Sequence, residues 1–327
     1  MARLANLETE YPVLDSTVRN FCASHGIFSV EDFLIHDLYM LAAFAEQNDS
    51  SERLKEGIAQ VLSIIDDMHQ PWLNGMELLE DAKRNKHVFP TGIQGIDLLL
   101  GDGIHVGQLT ELVGPSSSGK TQVCLRTASN VARNHMVLYL DTGNSFSPQR
   151  IAYFLGKTIS PSSAQAKNQF LQKVMSNISC HSVFDIFAMF DVLHQLESYL
   201  RCQDGRGGCQ MRLLIVDSIS SLISPVLGSS STLGRALMTS AGYLLKKLAH
   251  QHNLAVLVSF ARVSSVLIIN HTVGGEGGSS KPALGDSWKC IPHSRLFLSC
   301  DRGSNTYNVS ILRHPSMASG KAARFVI

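Results

Sequence analysis

No apolar run in this chain of 327 residues approaches the roughly 20 residues needed to cross a bilayer. Its first residues lack the basic, apolar and small-residue order of a secretion signal. Charge of one sign is missing too, since 28 Lys and Arg stand against 27 Asp and Glu. Without a global basic field, tight nucleic-acid binding by bulk charge is not expected, and any such contact needs a local patch. The seven cysteines, Cys22, Cys124, Cys180, Cys202, Cys209, Cys290 and Cys300, are odd in number, scattered and free of any C-x-x-C pair. That argues against a zinc site or a disulfide framework and for reduced thiols. Cys202 and Cys209 flank a Gly-rich turn, but no His or Cys completes a ligand set there. No repeat of solenoid period occurs. The expectation is a soluble intracellular protein, long enough for one large core and a smaller unit.

What is present is a phosphate-binding loop. Gly114, Pro115, Ser116, Ser117, Ser118, Gly119, Lys120 and Thr121 fit G-x-x-x-x-G-K-[ST]. Glycines let backbone N–H groups turn onto a polyanion, and the lysine reaches the β- and γ-phosphates. The threonine offers a hydroxyl to Mg²⁺, and the following helix adds its positive end. The apolar Leu109 to Val113 reads as a strand leading in and Thr121 to Ala132 as a helix leading out. A chance Gly/Ser turn would carry neither flank. The ligands expected are ATP and Mg²⁺.

Around the loop, strands are expected at 109–113, 136–141, 212–217, 254–258, 295–300 and 307–312, with helices at 121–133, 148–156, 184–201 and 234–252. Alternating elements with near-continuous apolar strands mean an α/β core with a mostly parallel, helix-covered sheet. Before it, three helical patterns fill about residues 10–65. The first covers Val13 to Ser24, the second starts at Ser29 with Val30-Glu31-Asp32, and the third carries Leu54, Ile58, Val61, Leu62 and Ile65. The expected organisation is a helical N-terminal domain over 1–69, a linker over 70–89 and the ATPase core over 90–327. The helical domain suits packing or partner contact, with contact to a DNA backbone as the alternative.

Leu213-Leu214-Ile215-Val216-Asp217 is an aliphatic run ending in an acid. Asp217, on a buried strand expected beside the P-loop strand, is placed to hold Mg²⁺ directly or through water. Water activation needs a further group, and Asp141 at the end of strand 136–141 is the candidate, with turn capping as its alternative role. The segments Ser229 to Thr232 and Gly274 to Lys281 would lie near ligand, at strand C-terminal ends. They carry no aromatics for base stacking, and a disordered surface loop is the alternative reading of each. A small-molecule kinase is disfavoured because no Arg-rich acceptor lid is visible.

Three stretches together resemble the RecA-like recombinase family, specifically the eukaryotic DNA-repair paralogues of the D type. They are Thr91-Gly92-Ile93-Gln94-Gly95-Ile96-Asp97 to Ile104, Leu140-Asp141-Thr142 to Pro148-Gln149-Arg150, and Asn270-His271-Thr272 to Gly285-Asp286-Ser287-Trp288. The resemblance implies a RecA-like P-loop ATPase core behind a small all-helical domain. It implies a role in homologous recombination in the nucleus after DNA damage, binding of ATP and of single-stranded or branched DNA, and assembly with other recombinase paralogues. No membrane association is expected. It adds Arg150 to the nucleotide contacts and puts the γ-phosphate sensor at His271, where the family has Gln. The family's water-activating Glu falls at Gly143. Hydrolysis is then slow or uses another acid such as Asp141, and the alternative is a scaffold in which ATP only stiffens interfaces. The family's F-x-x-A falls at Met76-Glu77-Leu78-Leu79, without either anchor, so extended homofilaments are not expected. Ser259 to Ile268 intervenes where the family's strand would run almost directly into Asn270-His271. The segment is expected to bulge out or displace the sensor. A splice or gene-model variant and a true insertion are the two origins considered.

Overall fold

The computed structural model describes residues 4, 7, 11–30, 32–33, 36–48, 50–68, 74–84, 88–157, 164–203, 209–226, 232–262, 288, 290–300 and 305–327. They fall into two compact units, Met1–Arg84 and Asn85–Ile327.

The first unit is helical. α1 (Ser16–Ser24) starts where the Asp15 carboxylate accepts from Thr17 and Val18 N–H. α2 is Leu38–Glu46, and its cap, Asp37, stands eight residues after the Ser29 that the pattern predicts. The reason is local: Asp32 turns back to accept from Phe28 and Ser29 N–H, both at 2.8 Å, and closes a turn instead of opening a helix. Asp37 then caps the fresh start, accepting from Tyr39 and Met40 N–H. Phe33 is nonetheless buried, so the apolar register reads correctly although the helix does not reach it. α3 (Ser51–Met68) buries Leu54, Ile58, Val61, Ile64 and Ile65 with Leu14, Val18, Phe21 and Cys22. Within the segment expected to be linker, Asn74 and Glu77 form a capping box, with Met76 and Glu77 N–H on Asn74 Oδ1 and Asn74 N–H on Glu77 Oε2. It opens α4 (Gly75–Arg84), on which Met76, Leu78 and Leu79 are exposed.

The second unit begins with β1 (Val88–Phe89), α5 (Gln94–Leu100) and β2 (Ile104–His105), the two short strands pairing antiparallel. Thr91 and Asp97 close this lead-in: Asp97 accepts from Thr91 N–H and Oγ1 at 2.7 Å and from Gly92 N–H at 3.1 Å. Then come β3 (Leu109–Pro115), α6 (Lys120–Val131), β4 (Met136–Asp141), α7 (Pro148–Gly156), α8 (Ala164–Ser176), β5 (Ile178–Ser182), α9 (Ile186–Arg201), β6 (Met211–Asp217), α10 (Ile219–Ile223) and α11 (Thr232–Gln251). β7 (Ala255–Arg262), β8 (Ser294–Cys300), β9 (Thr306–Arg313) and β10 (Ala322–Val326) complete it.

Eight strands form one sheet in the order β10-β9-β8-β3-β7-β6-β4-β5, parallel from β8 to β5, with the β9–β10 pair antiparallel at the other edge. Each face carries its own apolar cluster, as the continuous aliphatic strands demand. The expectation that the Asp217 strand adjoins the P-loop strand is corrected: β7 lies between β3 and β6. β5, β10 and α8 escape the sequence pattern. β5 is an edge strand whose polar residues are mostly exposed, so it shows neither an apolar run nor alternation. Beneath the site, Glu111 on β3 pairs with its register partner Arg295 on β8 and accepts from Trp288 Nε1–H at 2.8 Å. Burial pushes the Glu111 carboxyl up, and Arg295 opposes the shift.

Candidate nucleotide site

The loop after β3 has the form its residue types predict. Gly119 adopts φ 88°, a left-handed conformation, and opens α6 with no side-chain cap, leaving the helix's first N–H groups for an anion. A Cβ on Gly119 would lie 2.9 Å from the Tyr307 ring, and one on Gly114 would lie 2.3 Å from Leu298 O and 2.6 Å from Ser118 Oγ. Both glycines are therefore required by close approach. Lys120 curls back over the loop, its Nζ donating to Gly114 O at 2.9 Å, Pro115 O at 2.7 Å and Ser118 Oγ at 3.3 Å. Burial lowers the affinity of this amine for its proton, and the nearby Asp217 carboxylate works against that shift. Thr121, half-buried, follows at the start of α6.

Asp217 ends β6 and is 4% exposed. Three hydroxyls converge on its carboxylate. Tyr139 Oη donates to Oδ2 at 2.8 Å, Ser145 Oγ reaches Oδ2 at 3.3 Å, and Ser259 Oγ donates to Oδ1. Tyr139 is on β4 and Ser259 on β7, so the strands flanking β6 supply the two buried donors. Burial, reinforced by Cys124 and Asp217, raises the Tyr139 phenol well above its usual range and keeps it a donor. The Cys124 thiol, fully buried on α6, is likewise pushed well up and is not a nucleophile at neutral pH.

The loop after β4 is organised differently. Asp141 is 3% exposed, and its carboxylate accepts from Gly143 N–H at 3.2 Å, Ser145 N–H at 3.0 Å and Phe146 N–H at 2.9 Å, with Ser145 Oγ at 3.3 Å. These are the bonds of a turn cap. Gly143 is exposed, with open space where a side chain would project. Ser147 caps α7, accepting from Arg150 N–H. Arg150 donates to Gln122 Oε1 at 2.6 Å, and its guanidinium lies 4.8 Å from the Tyr153 ring centre and 4.7 Å from that of Phe154. Gln122 is the third residue of α6, so Arg150 is held against the helix that the P-loop opens.

The structure thus gathers Gly114 to Thr121 and Asp217 at the C-terminal ends of β3 and β6, with Asp141 capping its own turn and Arg150 tied to α6. His271 and the segment Gly274 to Lys281 lie outside the described residues, as do 229–231 of the other loop. The expected bulge from Ser259 is corrected for its first four residues. β7 runs on to Arg262 in parallel register with the P-loop strand, Leu112 opposite Ser259 and Pro115 opposite Arg262. Backbone pairing with β3 holds these residues in the sheet, and 263–268 lie outside the described residues. Sequence reading missed Tyr139, Ser145, Ser259 and Gln122. The available signal was a hydroxyl residue near the C-terminal end of each strand around Asp217, which means little until strand order is known.

ATP with Mg²⁺ fits what is here. The two glycine positions admit no Cβ, an uncapped helix end faces the loop, and a buried lysine spans it. Among the described residues no group of three or more His, Cys, Asp and Glu could cage a metal by itself. A cation at this place would rest on Asp217, Thr121 and phosphate oxygens, the donor set Mg²⁺ takes with nucleotides. Among the described residues no helix is long and apolar enough to cross a membrane.

Comparison with known proteins gives the same family over the same part of the chain. The sequence profile described as Rad51 matches residues 83–327. DNA repair protein RAD51 homolog 4 of Mus musculus is 36% identical over 244 residues, 73% of this chain and 68% of the relative. The Bos taurus protein of that name is 34% identical over 254 residues, 76% of this chain and 73% of the relative. DNA repair and recombination protein RadB of Archaeoglobus fulgidus is 24% identical over 243 residues, 73% of this chain and 95% of the relative.

Proposed function

The chain belongs to the Rad51 family and serves homologous-recombination repair, and from that premise we propose that it works as an ATP-holding paralogue. In this reading the backbone of Gly114 to Thr121 and the Lys120 ammonium take the phosphates, Thr121 and Asp217 hold Mg²⁺, and Arg150 borders the nucleotide. Bound Mg²⁺ supplies charge neutralisation on the phosphate oxygens. The chain's own groups position and desolvate. The observation that carries the reading is the uncapped start of α6 beside a buried lysine that spans the loop.

Turnover is slow. Gly143 has no side chain to orient water, and the Asp141 carboxylate is committed to three backbone N–H groups. Those bonds favour the scaffold reading, in which bound ATP stiffens an interface between paralogues and hydrolysis is incidental. The partners are other recombinase paralogues and DNA, single-stranded or branched, and the place of action is the nucleus. DNA contact falls to local patches, because the chain carries only one net positive charge.

The decisive experiment is affinity capture of the tagged full chain from cells after DNA damage, analysed by mass spectrometry, beside the Lys120→Ala chain. Recovery of recombinase paralogues with wild type and a reduced yield with the variant is expected. Recovery of none with wild type would sink the assembly reading. Equal recovery with both would separate assembly from nucleotide.

A further inference from the structure

The carboxylate of Asp217 is held more completely than a simple magnesium ligand requires. An ionised carboxylate offers about four lone-pair directions. Tyr139 and Ser145 occupy Oδ2, and Ser259 occupies Oδ1. Among the described residues one direction on Oδ1 is left. Tyr139 and Ser259 are both 0% exposed, so no solvent competes for their bonds to Asp217. The Tyr139 ring is itself fixed edge-on by Phe146, with centres 5.0 Å apart. Ser145 differs. It lies 3.3 Å from Asp217 Oδ2 and 3.3 Å from Asp141 Oδ1, and its single proton can serve only one of them at a time.

We infer that Tyr139 and Ser259 are positioning residues that fix the Asp217 carboxylate and leave one Oδ1 direction that a cation would take, while Ser145 is an exchangeable third partner. The inference rests on the nucleotide reading above. It gives Ser259 a task within the segment that looks added by sequence: β7 continues far enough to bring this hydroxyl to Asp217. A structural role alone, satisfying a buried carboxylate, would stabilise the fold without favouring the metal-bound state.

The test is a Mg²⁺ titration of the full chain at fixed concentration of ribose-labelled fluorescent ATP, with a parallel nucleotide titration in EDTA. Tyr139→Phe removes one oxygen from an otherwise unchanged ring, and Ser259→Ala removes the other hydroxyl. Outer partners of metal ligands are typically worth about 10–100-fold in metal affinity. Each variant is expected to raise the Mg²⁺ midpoint at least about tenfold while nucleotide affinity in EDTA stays within about twofold of wild type. Ser145→Ala should shift the midpoint less than either. Thermal melting checks that each variant is folded, and the near-isosteric Tyr139→Phe keeps the test open if Ser259→Ala fails to fold. Midpoints unchanged in folded variants, or equal losses with and without Mg²⁺, overturn this inference alone. A wild-type chain that binds no nucleotide in Mg²⁺ overturns it together with the nucleotide reading.

Discussion

The loops after β3 and β4 are built on the same plan, a buried parallel strand turning into a helix at the same end of the sheet, and they reach opposite chemical ends. The first leaves the start of its helix without a side-chain partner. Its helix has no side-chain cap, its glycines exclude side chains from the turn, and a lysine spans it. The second satisfies itself. Asp141 takes the N–H groups of Gly143, Ser145 and Phe146, and Ser147 takes that of Arg150. An acid at a strand end therefore says little until its hydrogen bonds are counted. Among the described residues the Asp217 carboxylate receives only hydroxyls and retains a free direction, whereas Asp141 is spent on its own turn.

The contrast can be broken most sharply at Lys120. Lys120→Ala is expected to weaken Mg–ATP binding about a hundredfold or more, some 2.7 kcal/mol, by removing the charge-assisted donor of the cradle. Isothermal titration calorimetry reads it directly, and an affinity within threefold of wild type would refute the cradle. Next is Gly114→Ala, whose Cβ would lie 2.3 Å from Leu298 O. Overpacking against backbone should cost about 1–3 kcal/mol in chemical denaturation. A similar cost is expected of Asp141→Ala, about 1–2 kcal/mol, with nucleotide affinity little changed, because the loss is of a turn cap. A large loss of ATP affinity instead would mean that the second loop touches nucleotide.

Gly143→Glu sharpens the comparison from the other side. Among the described residues nothing stands within 4 Å of the new Cβ, so the side chain starts into open space. Steady-state phosphate release should rise about tenfold, worth about 1.4 kcal/mol in the barrier. An unchanged rate would show that another group orients water. Gly143→Ala is the smallest effect, within about 0.5 kcal/mol in stability, and serves as the control for Gly114→Ala.

Much of the site was legible because its chemistry is contiguous. G-x-x-x-x-G-K-[ST] places every cradle group within eight residues, and the aliphatic run into Asp217 marks a buried strand end. Elements defined by polar capping were harder to read. The late start of α2 depends on Asp32 turning back onto Phe28 and Ser29 rather than forward, and both choices satisfy the same local pattern. The edge strand β5 has no apolar signature because one side of it has no neighbour to bury it.

Local pattern alone determined the phosphate loop, the α/β alternation and the helical first unit, since each is a matter of residue type and short spacing, whereas the missing acid at Gly143 is implied only by the resemblance to the family. Tertiary structure decided what the acids do. β7 enters between the P-loop strand and the Asp217 strand, and Tyr139 and Ser259 reach Asp217 from positions 78 and 42 residues away. Strand order brings those hydroxyls together, and strand order is set by the burial of two whole sheet faces rather than by any stretch of the chain.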